Sequence, residues 1–224
     1  MEEAFGIPVG TFDDFFETPS STFPSVPSLP SRRISSHKNG FLYPQHRLKL
    51  AKYHVTSADG ESQGVGPHKD SSGWLTFLYQ VGTERGLEVL DKNGSWIPAN
   101  PIPGTFVVNF GNAFETATEG AVRATVHRVK APTQRDRYSI PFFMGLPLDL
   151  KVSEIRSFIP EGVRSMRRKE DGQSAVEAAL PSFLDPRWDS LGESVLRKWI
   201  RSHQHVGLKW YGPKSLEYYT QKGK

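Results

Sequence analysis

The sequence contains no cysteine, which excludes disulfides, thiolate nucleophiles and Cys-ligated zinc or iron–sulfur centres. Any metal must therefore rest on His, Asp and Glu. It also lacks an apolar run near the ~20 residues of a membrane span, and its start, MEEAFGIPVGTFDDFF, is acidic with no charged-then-apolar leader pattern. A soluble cytoplasmic protein without a membrane partner is expected. Nor does one sign of charge dominate: 28 Lys and Arg against 24 Asp and Glu leave a net charge of +4, with both signs scattered. A nucleic-acid partner is not expected from such a surface. What the chain does have is an aromatic share of 12%, too high for a wholly disordered polymer, within 224 residues that suit one domain with appendages.

Phe12, Phe15 and Phe16 fall at helical spacing, so a short amphipathic helix is expected within residues 1–18, with an apolar face that needs a partner. The following PSSTFPSVPSLPSRRISSHKNG is dense in Ser and Pro and reads as a linker or irregular loop. From Leu48 the texture changes to LKLAKYHV, WLTFLYQV, LEVL, TFVVNFG, ATVHRVKA and YSIPFFMG, short β-rich runs separated by turn residues such as Lys92-Asn93-Gly94. Such spacing implies an all-β sandwich or barrel. Helical periodicity returns in SEIRSFIPEGVRSMRRKE and ESVLRKWIRSHQHVGLKWY, with Ser153 and Ser190 or Asp189 placed as N-caps. The organisation expected is an N-terminal helical segment plus linker over 1–46, a β-core over 47–148, and a helical region over 149–224 packed on the core.

The sharpest chemical feature is Gly66-Pro67-His68-Lys69-Asp70. On an extended chain residues i and i+2 share a face, so His68 and Asp70 can reach one metal; alone, the pair is equally a turn His beside a solvated Asp. His127 lies in the alternating run Ala124-Thr125-Val126-His127-Arg128-Val129 and is either a buried core His or a third ligand. Two His and one carboxylate form the facial set of non-haem Fe(II), with three positions open for other ligands. Arg137 and Ser139 are a further i, i+2 pair, suited to the distal carboxylate of a dicarboxylate if they point into a barrel, and otherwise a surface Arg at a strand start. Trp74 and Phe77 are read as packing, Asn109 with Gly111 and Asn112 as a strand-end turn, and Arg164, Arg167, Arg168 and Lys169 as a solvated helix end. His203 and His205, on the C-terminal helical pattern, are not expected to be ligands.

Taken in register from Leu48 to Leu148, GPHKDSSGWLTFL, GLEVL, SWIPANPIPGTFVVNFGNAFETAT, TVHRV and DRYSIPFF resemble the Fe(II)/2-oxoglutarate-dependent dioxygenases of the isopenicillin N synthase-like family, in its fungal type. The resemblance continues into DPRWDSLGESVLRKWIRSHQHVGLKWY. It implies a mainly β fold with flanking helices, a double-stranded β-helix or jelly roll. It further implies that His68, Asp70 and His127 bind Fe(II) and that Arg137 and Ser139 bind the C5 carboxylate of 2-oxoglutarate. Tyr53 sits where relatives often place a tyrosine that bonds the same carboxylate, although a core or surface Tyr reads as well. Ala51 stands where plant relatives often carry Asn, which implies a missing contact to the keto-acid end. The implied reaction is hydroxylation or desaturation of a small molecule, expected among secondary metabolites, with O2 consumed, succinate and CO2 released and ascorbate a candidate reductant.

Members of the family usually carry a longer helical region ahead of the jelly roll than residues 1–46 provide. That shortening is expected to uncover apolar surface and favour self-association. Two other readings stay open: a catalytically impaired paralogue acting as a binding or interaction protein, and an oxidase of the same fold that does not use 2-oxoglutarate.

Overall fold

The computed structural model describes residues 1–16, 44–56, 62–71, 73–166, 176 and 189–221. Strands β1 (Arg47–Leu48), β2 (Ala51–Tyr53), β3 (Gln63–His68), β4 (Gly73–Val81), β5 (Leu87–Leu90), β6 (Trp96–Pro98), β7 (Val107–Phe110), β8 (His127–Lys130) and β9 (Arg137–Gly145) form two antiparallel sheets. One has the order β1-β9-β4-β7, with β2 also on β9; the other has the order β3-β8-β5-β6. From β2 onward the chain alternates between sheets except at β5–β6, the one neighbouring pair joined as a hairpin among the described residues. Its turn is tied by the Asp91 carboxylate, which accepts from the backbone N–H of Asn93 at 2.9 Å and Ser95 at 2.7 Å. Two facing sheets with this alternation are the double-stranded β-helix that the family resemblance implies, and the all-β architecture that the strand pattern predicts.

The period-two pattern of β4 sets the two faces of the larger sheet. Thr76 and Leu78 line a cavity of about 250 Å3 between the sheets, walled by Val65, Leu87, Val89 and Val129. Phe77 points the other way, 6.4 Å from Phe142 between ring centres, as a packing residue. Strand register runs Leu48–Phe142–Phe77–Val108 across four strands on that outer face. The ends of this apolar row stay open to solvent, with Leu48 67% and Val108 55% exposed.

A cluster of buried apolar side chains joins the N-terminal segment to β4 and the helices. Instead of one helix, the N-terminal segment forms two short ones, α1 (Glu2–Phe5) and α2 (Asp13–Phe16). Gly6 takes the left-handed conformation (φ 68°) that ends α1, and Glu2 accepts from the N–H groups of Gly10 and Phe12, curling the segment back. Phe12 and Phe15 are buried there with Trp74 and Phe114. Phe12 meets Trp74 edge-on at 5.4 Å and Trp74 meets Phe114 at 4.6 Å, so Trp74 is a packing residue. Burying each such ring contributes about 1.5–3 kcal/mol.

Helices α3 (Asn112–Ala117), α4 (Val152–Ser157), α5 (Glu161–Arg164), α6 (Leu191–Ser202) and α7 (Gln204–Thr220) complete the described structure, with α7 broken at Gly212 before Pro213. Ser153 is not an N-cap: Lys151 holds that position, and Ser153, in the first turn, bonds Asp189 through both its hydroxyl and its N–H. Ser190 does precede α6, yet its hydroxyl donates to the Leu148 carbonyl at 3.0 Å instead of capping. Arg164 is not a solvated helix end either, because its guanidinium donates to Glu119 and to the Ile159 carbonyl, each at 3.1 Å. The Ser/Pro-rich stretch and Arg167, Arg168 and Lys169 lie outside the described residues. No described helix is long and apolar enough to cross a membrane.

Candidate metal centre

His68 ends β3 and His127 begins β8, and the register of that pair places them directly opposite, with ring centres 4.2 Å apart. Asp70 lies two residues past His68, where its backbone carbonyl accepts from the N–H of Asn112 at 2.8 Å. One ligand atom from each residue falls within 4.8 Å of the other two, the one such group of three among the described residues. His203 instead stacks on Trp199, and neither it nor His205 joins such a group.

Every other donor or acceptor of the three side chains is already engaged. The Nδ1 atoms of His68 and His127 lie 2.8 Å and 3.0 Å from the carbonyls of Gly66 and Thr125. A carbonyl only accepts, so each Nδ1 carries a proton, and in the neutral ring the lone pair is on Nε2. The Asp70 Oδ2 atom accepts from Thr76 Oγ1 at 2.7 Å and Asn109 Nδ2 at 2.9 Å. This leaves Oδ1, 3.6 Å from His127 Nε2 and 3.9 Å from His68 Nε2. Two imidazole lone pairs and one carboxylate oxygen thus converge, a donor set that fits a divalent first-row metal. Burial, and then the neighbouring His127, lower the pKa of His68, which keeps its imidazole neutral and able to ligate.

Thr76 and Asn109 are contributions that sequence reasoning missed. Asn109 is not part of a turn: it sits within β7, opposite Thr76 on β4, so the two side chains reach Asp70 from adjacent strands. The available signal was the polar Thr76 on the inward side of an apolar strand. Lys198 on α6 was also missed; its ammonium donates to the Lys69 carbonyl at 3.3 Å beside the metal ligands. Burial lowers its pKa and the nearby Asp70 opposes that shift.

Arg137, Ser139 and Tyr53 line the same cavity. Strand β9 lies between β2 and β4, so Arg137 faces Tyr53, and Ser139 has Ala51 on one side and Gln80 on the other. Arg137 is 1% exposed, with its guanidinium carbon 5.0 Å from the centre of the Tyr53 ring. Its Nη2 donates to Gln80 Oε1 at 2.8 Å, while Nε and Nη1 are buried without a partner. Burial lowers its pKa, and Tyr53 works against that shift. A guanidinium with two unpaired, buried nitrogens is a cradle for an anion, and a carboxylate would satisfy it.

Residues 32–146 match the model of the 2OG-Fe(II) oxygenase superfamily. The chain is similar to the 2-oxoglutarate-dependent dioxygenase frbJ of a Dothideomycetidae species, 36% identical over 94% of this chain and 52% of that protein. A 2-oxoglutarate-dependent dioxygenase of Gibberella zeae is 31% identical over 74% of this chain and 46% of its own length. The chain thus spans about half the length of these curated relatives. Its fold is also that of a full-length Neurospora crassa protein solved in complex with alpha-KG, with a TM-score of 0.59 at 21% identity over 90% of this chain and 50% of that one. With the family model covering more than half of the chain, the protein belongs to the 2OG-Fe(II) oxygenase superfamily.

Proposed function

We propose that the protein is a non-haem Fe(II)- and 2-oxoglutarate-dependent oxygenase that hydroxylates or desaturates a small organic molecule, with release of succinate and CO2. The observation that carries this reading is the convergence of His68 Nε2, His127 Nε2 and Asp70 Oδ1, each with its remaining polar atom already bonded to protein. Bound there, Fe(II) would supply the redox chemistry that couples O2 to oxidation of 2-oxoglutarate and substrate. The chain's own residues do the rest. Thr76 and Asn109 hold Asp70 to a single outward oxygen, and the carbonyls of Gly66 and Thr125 fix both imidazoles in the ligating tautomer. Arg137 and Ser139 take the distal carboxylate, and Tyr53 closes over the guanidinium. The apolar walls formed by Val65, Leu78, Leu87 and Val89 exclude water between these two ends.

The unsatisfied Arg137 nitrogens favour 2-oxoglutarate over a mechanism without it. The isopenicillin N synthase-like subgroup, a secondary-metabolite substrate and a cytoplasmic location belong to the same proposal and rest on the sequence. Self-association through the outer sheet face is supported by the exposed Leu48 and Val108.

The test is an anaerobic titration with Fe(II) and then 2-oxoglutarate, followed by the visible charge-transfer band of an iron-chelated keto acid. The expected result is a band that saturates at one equivalent and is lost in His127→Ala. Iron binding without a band would instead support a binding protein or a different oxidase.

A further inference from the structure

We infer that Gln80 is a positioning residue: its side chain fixes the Arg137 guanidinium in the orientation that receives a dicarboxylate, while leaving the full positive charge available. This rests on the reading of the cavity as a 2-oxoglutarate site. Gln80 is 9% exposed on β4, cross-strand from Ser139. Its Nε2 donates to the Ala99 carbonyl at 3.0 Å, and its Oε1 accepts from Arg137 Nη2 at 2.8 Å. The orientation of the amide is chemically forced. A carbonyl can only accept and a guanidinium can only donate, so the NH2 end must face Ala99 and the oxygen must face Arg137. Ala99 is itself held, its N–H donating to the Leu87 carbonyl at 2.9 Å. The guanidinium is therefore tied at one corner to a backbone group on the opposite sheet.

The other sides of Arg137 are equally confined. The Tyr53 ring covers one face of the guanidinium. Gly86, at φ 147°, leaves room on the aliphatic side, where an added Cβ would come within 3.3 Å of Arg137 Cδ and 2.8 Å of the Lys130 carbonyl. Nε and Nη1 are what this confinement leaves unpaired; they lie on the two edges of the fork that share Nη2, whose second N–H completes bidentate pairing on either edge. A carboxylate at position 80 would serve as well for packing and would pair more strongly, but it would neutralise the cation. A neutral acceptor restrains the group without competing for its charge.

The experiment compares the parent with Gln80→Glu and Gln80→Leu in the full chain loaded with Mn(II). Calorimetry measures affinity for 2-oxoglutarate and for 2-oxovalerate, a keto acid that lacks the distal carboxylate, and the melting temperature monitors folding. Gln80→Glu is expected to keep or raise the melting temperature while weakening 2-oxoglutarate about tenfold or more, and Gln80→Leu to weaken it by a similar factor. Both are expected to leave 2-oxovalerate within about twofold of the parent. Equal losses for both keto acids, or a Gln80→Glu protein that binds 2-oxoglutarate as the parent does, would overturn the inference while leaving the function intact. A parent that binds neither keto acid would overturn the functional reading, and this inference with it.

Discussion

Thr76 Oγ1 donates to Asp70 Oδ2 at 2.7 Å, a buried bond between an inward residue of the larger sheet and a carboxylate that approaches the metal group from the end of the smaller one. The carboxylate is thereby turned before any metal arrives, and an ion gains a fixed oxygen without having to order it.

Thr76→Val, which removes the hydroxyl at nearly constant volume, is expected to weaken Fe(II) or Mn(II) binding about 10- to 100-fold. Asn109→Ala should act in the same direction, and the double variant should fall short of the product of the two because both donors serve one oxygen. Metal titrations of the four proteins check this, with the melting temperature of the metal-free forms as the control for folding.

The N-terminal phenylalanines are expected to matter to the whole fold. Phe12→Ala and Phe15→Ala should each destabilise the protein by about 3–5 kcal/mol, because they leave cavities against Trp74 and Phe158. Urea unfolding followed by tryptophan fluorescence reads the loss, and a change below about 1 kcal/mol would mean that the segment does not dock there in solution.

Acid should release the contact between α4 and the start of α6. The Asp189 pKa is lowered, first by the hydroxyl of Ser153. Its contribution is therefore complete above the ordinary carboxylate pKa of about 3.9 and is lost as pH falls through the lower folded value. Asp189→Asn should lower stability near neutral pH by less than about 1 kcal/mol, and the difference from the parent should shrink as pH falls below the ordinary carboxylate pKa of about 3.9. Melting curves from pH 3 to 7 on both proteins give the comparison.

The apolar row on the outer sheet face predicts concentration-dependent association. Sedimentation velocity should show a shift to larger species with increasing protein concentration, and Leu48→Glu should reverse it without altering metal affinity, since Leu48 does not line the cavity. A parent that sediments as a monomer at every concentration would remove the support for a docking role of this face.

The sequence made the metal group visible because its geometry follows from spacing. An i, i+2 pair at a strand end and a His on an alternating strand need only a correct register to meet, and the β3–β8 pairing supplies it. The short β runs and their turn signals likewise conveyed an all-β sandwich or barrel, and the family resemblance implied the jelly roll. What stayed hidden were the residues whose roles depend on a distant partner. In LTFLYQ the polar residues Thr76 and Gln80 stand out only as polar positions on an apolar strand, and their roles appear once β7 and β9 flank β4 and present Asn109 and Arg137. In NFGN the nearby Gly111 suggested turn chemistry for Asn109, whereas the strand continues through Phe110. The helical spacing of Phe12, Phe15 and Phe16 was real, but Gly6 and the backbone contacts of Glu2 divide the segment into two turns.

The order in which the chain alternates between sheets also sets when the site can exist during synthesis. His68 and Asp70 leave the ribosome well before their partner His127, and Tyr53 and Gln80 well before Arg137, because β3 must wait for β8, and β2 and β4 for β9. A nascent chain halted after β7 would have two of the three metal-group residues, neither Arg137 nor Ser139 of the proposed carboxylate site, and neither sheet closed. Iron cannot be captured by the complete set of ligands until β8 has emerged, and the pocket proposed for an acidic cosubstrate cannot form until β9 has slotted between strands made long before it.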